Sequence, residues 1–165
     1  MKKIAIIMGS DSDLPVAEKA ADTLRQHGVP FEVHIFSAHR TPDEARRFAL
    51  DARRNGFGAI IAAAGKAAHL AGALAANTTL PVIGIPLKSS ALDGVDALLS
   101  TVQMPSGIPV ATVAIDGAVN AALLSMEILA VSDDEVAEKL TALRREETER
   151  VLAKNAAVEE KYNKN

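Results

Sequence analysis

Three short runs in this chain, residues 4–8 (IAIIM), 59–64 (AIIAAA) and 82–86 (VIGIP), carry apolar or small side chains at every position rather than at alternate ones. A strand that is apolar on both faces has to be covered on both faces, which is the situation of a strand inside a parallel sheet flanked by helices. The intervening segments carry helical patterns with start and stop residues. Asp13 precedes Leu14-Pro15, a cap followed by a proline in the first turn, and this predicts a helix to about His27 that stops at Gly28. Residues 31–36 alternate like a second strand. Thr41-Pro42-Asp43-Glu44 reads as a capping box opening a helix that ends near Asn55-Gly56. Small-residue and apolar helices are predicted over 69–77, 92–103 and 117–129, with a fifth strand over 110–115. Strand and helix alternating through short links predict an α/β fold, a three-layer α/β/α sandwich around a parallel sheet, with right-handed crossovers placing helices on both faces.

From residue 132 the composition changes. Val136, Leu140, Leu143, Val151 and Leu152 form a thin apolar stripe on a charged helix. The chain is therefore divided into an α/β catalytic domain, 1–131, and a C-terminal helical extension, 132–165, packing on the same or a neighbouring subunit. A single domain of 165 residues has limited room to bury helices as uniformly apolar as 117–129 and 70–76, so an oligomer is expected. The net charge of −3 and five aromatics (four Phe, one Tyr) argue against a nucleic-acid partner. Without cysteine there is no disulfide framework or thiolate chemistry, which fits a reducing cytoplasm. The apolar run that ends at Gly9 is too short for a signal peptide, and no stretch approaches the ~20 residues of a membrane span. A cytoplasmic protein with no membrane partner is expected.

Ligands of an open parallel sheet bind outside the carboxyl ends of its strands. The segments that follow the predicted strands are 9–13 (GSDSD), 37–41 (SAHRT), 65–69 (GKAAH) and 87–90 (LKSS). They put hydroxyls, two histidines and the cations Arg40, Lys66 and Lys88 on one edge. The first segment is either an anion site built of hydroxyls and backbone N–H groups or an ordinary Ser/Asp cap; it is neither a Walker loop nor a dinucleotide fingerprint. His39-Arg40 sits in a tight loop, where Arg suits bidentate contact with phosphate and His serves as acid or base near neutral pH. His69 stays open between a structural and a functional role. His27 reads as a helix-end residue and His34 as structural. No metal-ligand spacing emerges, and capping explains Asp11 and Asp13 as well as magnesium would.

GSDSD, SAHRTP, AAHL, VQMPSGIPVATVAI and NAALL occur in this order between residues 4 and 129, and in this the chain resembles the class I N5-carboxyaminoimidazole ribonucleotide mutase family of purine biosynthesis. The resemblance implies a flavodoxin-like sandwich, a homo-octamer and no metal or organic cofactor. It implies an isomerase that moves a carboxyl group from the exocyclic nitrogen of aminoimidazole ribonucleotide to ring carbon C4, by decarboxylation to enclosed CO2 and recarboxylation. By that resemblance His39 shuttles the proton, Ser10, Asp13 and Arg40 bind substrate with Arg40 on the phosphate, and Ser12, Ser37, Ala38, Gly65 and His69 line the pocket. Transient hand-over of the labile substrate from the ATP-dependent synthetase is also implied. The carboxylase of the same fold that uses CO2 directly is the nearest alternative, disfavoured by His69 and by SAHR in place of SAHK. A flavodoxin-like binding or receiver module is a remote one. The chain departs from the family pattern at Ala63, Lys66 and Ala71, where glycine, glycine and proline are usual. Lys66 is expected in a helical or extended backbone with its ammonium in solvent; a left-handed backbone would strain it by about 1 kcal/mol or more. The other reading is that Lys66 adds a cation near the carboxylate or CO2.

Overall fold

The computed structural model describes residues 1–163. Five parallel strands, β1 (Lys3–Met8), β2 (Phe31–Ile35), β3 (Phe57–Gly65), β4 (Val82–Leu87) and β5 (Ala111–Thr112), form one sheet in the order β2-β1-β3-β4-β5. The helices are α1 (Leu14–Gln26), α2 (Pro42–Asp51), α3 (Leu70–Ala75), α4 (Val95–Val102), α5 (Ala118–Ala130) and α6 (Asp134–Tyr162). The all-apolar runs are explained by two cores. Ile4, Ile6 and Met8 of β1 face one core with Leu24 of α1 and Met126 of α5. Ala5 and Ile7 point the opposite way, into a second core with Ala45 and Ala49 of α2 and Leu74 of α3. This is the three-layer sandwich expected from the alternation, and the strand order reverses between β1 and β3.

Several predicted boundaries are corrected. The fifth strand is two residues long rather than 110–115. Gly84 and Pro86 present their carbonyls to the β5 segment, accepting from Val113 N at 3.1 Å and Asp116 N at 2.9 Å. Pro86 has no N–H to return on that side, so the ladder lapses after Gly84↔Thr112. Helix α4 starts at Val95 rather than 92 because Asp93 (φ 52°) and Gly94 (φ 92°) are left-handed. Helix α3 is confined to Leu70–Ala75, where 69–77 was expected. Asp13 does not cap α1 with its side chain. Its carboxylate turns back onto Ser10 N, and the capping box lies one step earlier, between Ser10 and Asp13 around a 3-10 turn at Asp11–Asp13. Thr41 likewise makes no side-chain cap to α2; its Oγ1 accepts from Ser37 N at 2.8 Å and closes the preceding loop.

Helix α5 packs between α1 and α6, burying Ala118, Ala121, Ala122, Ser125, Met126 and Leu129. Only Val136 of α6 is fully buried, with Leu140 packed behind it, and Arg144 pairs with Glu127 of α5 at 2.7 Å. Beyond that pair Val151, Leu152, Val158 and Tyr162 are exposed. Among the described residues no helix is long and apolar enough to cross a membrane.

Candidate active site

The loops that leave β1, β2, β3 and β4 meet at the carboxyl edge of the sheet, centred on the β1/β3 reversal, and enclose a cleft of about 440 Å³. That volume suits a nucleotide-sized ligand. All nine residues singled out in the sequence, Ser10, Ser12, Asp13, Ser37, Ala38, His39, Arg40, Gly65 and His69, line it.

The first wall is the Ser10 turn. Ser10 Oγ accepts from Ser12 N at 3.3 Å and from Ser12 Oγ at 3.0 Å, and it donates to Asp11 Oδ1. Asp13 Oδ2 accepts from Ser10 N at 3.0 Å. Burial pushes the Asp13 carboxyl above its ordinary value, opposed by the backbone N–H groups of Ser10 and Gly9 and by the Ser12 hydroxyl, with the charge of Asp11 adding to the rise.

The second wall is the loop 37–41, fixed at both ends by Ser37 and Thr41. Thr41 N donates to Ser37 O at 2.9 Å, while Ser37 Oγ accepts from His39 N at 3.3 Å and Arg40 N at 3.2 Å. The backbone of the His-Arg pair is thereby held while both side chains remain exposed. Across the cleft His69 stands just before α3, and its Nδ1 lies 2.8 Å from His39 Nε2. His27 and His34 are elsewhere: His27 ends α1, and His34 stacks on Phe36 with ring centroids 5.4 Å apart.

Lys66 departs from expectation. Its backbone is left-handed (φ 55°) rather than helical or extended, and it lines the cleft. Lys88, Ser89 and Ser90 also line it. These three were visible as a strand-end segment but carried no motif of their own. The conspicuous MPSGIP segment does not line the cleft; Met104 instead packs against Gly72 of α3, where a Cβ would come within 3.1 Å of its sulfur. Among the described residues no three His, Asp or Glu side chains converge as a metal site.

A doubly wound sandwich whose switch-point cleft offers a clamped His-Arg loop, a hydroxyl-rich turn and a paired imidazole defines an α/β protein with its candidate site at the carboxyl edge of the sheet. Residues 3–150 match the family described as AIR carboxylase, and the chain belongs to that family. It is 55% identical over 157 residues to the N5-carboxyaminoimidazole ribonucleotide mutase of Pyrococcus horikoshii, covering 95% of this chain and 89% of that protein. It is 53% identical over 156 residues to the phosphoribosylaminoimidazole carboxylase of Saccharomyces cerevisiae, covering 94% of this chain but 27% of that longer protein. Among solved structures, Treponema denticola PurE superposes with a TM-score of 0.86 at 28% identity, covering 94% of this chain and 97% of that one.

Proposed function

We propose that this protein is an isomerase that converts N5-carboxyaminoimidazole ribonucleotide to 4-carboxy-5-aminoimidazole ribonucleotide in purine biosynthesis. The observation that carries the reading is the His39–His69 pair at the β1/β3 cleft, in a chain that shares length and over half its residues with a protein named for that reaction. The substrate bears a phosphate and a carboxylate, which accounts for cations at the ligand edge of an acidic chain. Arg40 takes the phosphate in a two-pronged contact, and the Ser10 turn with Asp13 positions the ribonucleotide. Ser12, Ser37, Ala38 and Gly65 shape the walls.

The carbamate C–N bond breaks and its electron pair stays on nitrogen, which takes a proton from the His39 imidazolium. The CO2 released is attacked by C4, forming the C–C bond, and the C4 proton returns to the His39 imidazole. The proton count closes, so one imidazole serves as acid and then as base. His69 holds His39 through the shared hydrogen bond. Small residues around Gly65 keep the space tight for CO2.

The arm of α6 beyond Thr148 and the apolar face of α5 support assembly, and we assign the extension 132–165 to contacts with a neighbouring subunit of a homo-octamer. The cytoplasm, where purine biosynthesis would supply the substrate, is the site of action, and hand-over from the synthetase fits the lability of the carbamate.

The test offers the protein N5-carboxyaminoimidazole ribonucleotide at low bicarbonate and, separately, aminoimidazole ribonucleotide with bicarbonate. Product from the first supports the isomerase, and product only from the second moves the assignment to a direct carboxylase. His39→Asn is expected to keep the assembly and lose about a hundred- to ten-thousandfold in kcat.

A further inference from the structure

Two cations in the cleft, Arg40 and Lys66, have no ion pair or side-chain hydrogen bond among the described residues, whereas the third, Lys88, is held by Asp93 at 3.3 Å. Arg40 follows β2 and Lys66 follows β3, the two strands on either side of β1. The two strands that carry these loops are two strand spacings apart, about 10 Å. The two loops are joined by the imidazole pair, since His39 precedes Arg40 and His69 follows Lys66 by three residues. Lys66 also occupies a left-handed backbone (φ 55°), a conformation costly for a side chain with a Cβ. Strain of this kind persists where the surrounding structure enforces it, and it concentrates at ligand sites. Glycine would fit that backbone without strain, so the lysine side chain is retained at a cost.

We propose that Lys66 is a specificity-determining residue whose ammonium binds the carboxylate of the carboxylated ribonucleotide, so that the cleft distinguishes carboxylated from uncarboxylated aminoimidazole ribonucleotide. Arg40 and Lys66 then divide a doubly anionic ligand between them. The planar fork of Arg matches phosphate, and the point charge of Lys takes the smaller anion. The division suits the reaction. The carboxylate loses its charge on becoming CO2, so the grip of Lys66 ends when the C–N bond breaks and returns when the C4 carboxylate forms. Such a contact strengthens ground-state binding at both ends of the reaction rather than the transition state, so it acts on KM and product affinity more than on kcat.

This inference rests on the function proposed above. The test measures the affinity of wild type, Lys66→Gln, Lys66→Gly and Lys66→Arg for 4-carboxy-5-aminoimidazole ribonucleotide and for aminoimidazole ribonucleotide, together with KM and kcat for the N5-carboxylated substrate. The Gln and Gly variants are expected to lose about tenfold in affinity for the carboxylated ligands, the size of one charge-assisted contact. Their affinity for aminoimidazole ribonucleotide stays unchanged, kcat is not lowered, and Arg restores most of the difference. A merely structural Lys66 would move both ligands together. An unchanged ratio of the two affinities, or an equal loss of both, overturns the role of Lys66 while leaving the enzyme's assignment intact. A wild type that turns over neither substrate pair contradicts the proposed function and takes the Lys66 assignment with it.

Discussion

Nε2 of His39 lies 2.8 Å from Nδ1 of His69, with the two ring planes at 79°. Only one of these two nitrogens can carry the shared proton, so one ring donates the hydrogen bond and the other accepts it. A fully protonated His39 donates to a neutral His69, and Nδ1 of His39 is then free to face a ligand. His69→Ala is expected to lower kcat by about tenfold or more through loss of orientation. An unaltered kcat would show that His39 acts without its neighbour.

Arg40 is placed by its backbone bond to Ser37 Oγ, and its guanidinium makes no hydrogen bond or ion pair among the described residues. Arg40→Lys keeps the charge and that backbone bond but removes the fork. KM is expected to rise by about tenfold with kcat little changed. Steady-state kinetics on the N5-carboxylated substrate checks this.

Asp13, which the proposed function sets beside the ribonucleotide, carries a cost in stability. Its folded carboxyl binds a proton more readily than the unfolded one, because burial disfavours the charged form. The stability this contributes is present below the unfolded pKa and is lost as pH rises through the raised folded value. At neutral pH the ionised group is therefore a net burden on the fold. Asp13→Asn removes that charge yet keeps an acceptor for Ser10 N. Thermal melts should show the variant gaining on wild type at pH 7 and losing that advantage as the pH falls through the carboxylate range, while KM for the ribonucleotide rises.

Gly84 sets how closely the helices approach β4. A Cβ there would stand 2.3 Å from Thr101 Cγ2 in α4 and 3.2 Å from Val110 Cγ1. Thr101 is buried and tied to Ala97 O at 2.7 Å, so it cannot move aside cheaply. Gly84→Ala is expected to cost about 1–3 kcal/mol of stability. Chemical denaturation measures it directly.

The sheet and the identity of the cleft residues were legible because they rest on periodicity and on the rule that strand ends carry ligands. Ile4 through Met8 declared a strand buried on both faces, as did two further all-apolar runs, and the loops after these three and the alternating second strand had to converge. What the sequence concealed depends on single backbone and side-chain directions. Thr41 has the residue type of a cap, yet its hydroxyl closes the His39-Arg40 loop instead. Asp13 faces backward onto Ser10 rather than forward into α1. The fifth strand lapses because Pro86 lacks an N–H on the side where β5 lies, which requires knowing the register. Lys66 took the strained conformation that its residue type argues against. Propensity could not foresee it, because the surrounding loop sets that angle.

The most direct test of the account follows the transferred carboxyl group itself. Substrate labelled with ¹³C in the N5-carboxylate is converted in excess unlabelled bicarbonate, and the label in the C4 carboxylate of the product is measured by mass spectrometry. Most of the label is expected to be retained, because CO2 formed in the His39 cleft is captured before it escapes. Product labelled only to the level of the bulk bicarbonate would contradict an enclosed transfer and leave the cleft as the site of a carboxylase fed from solution.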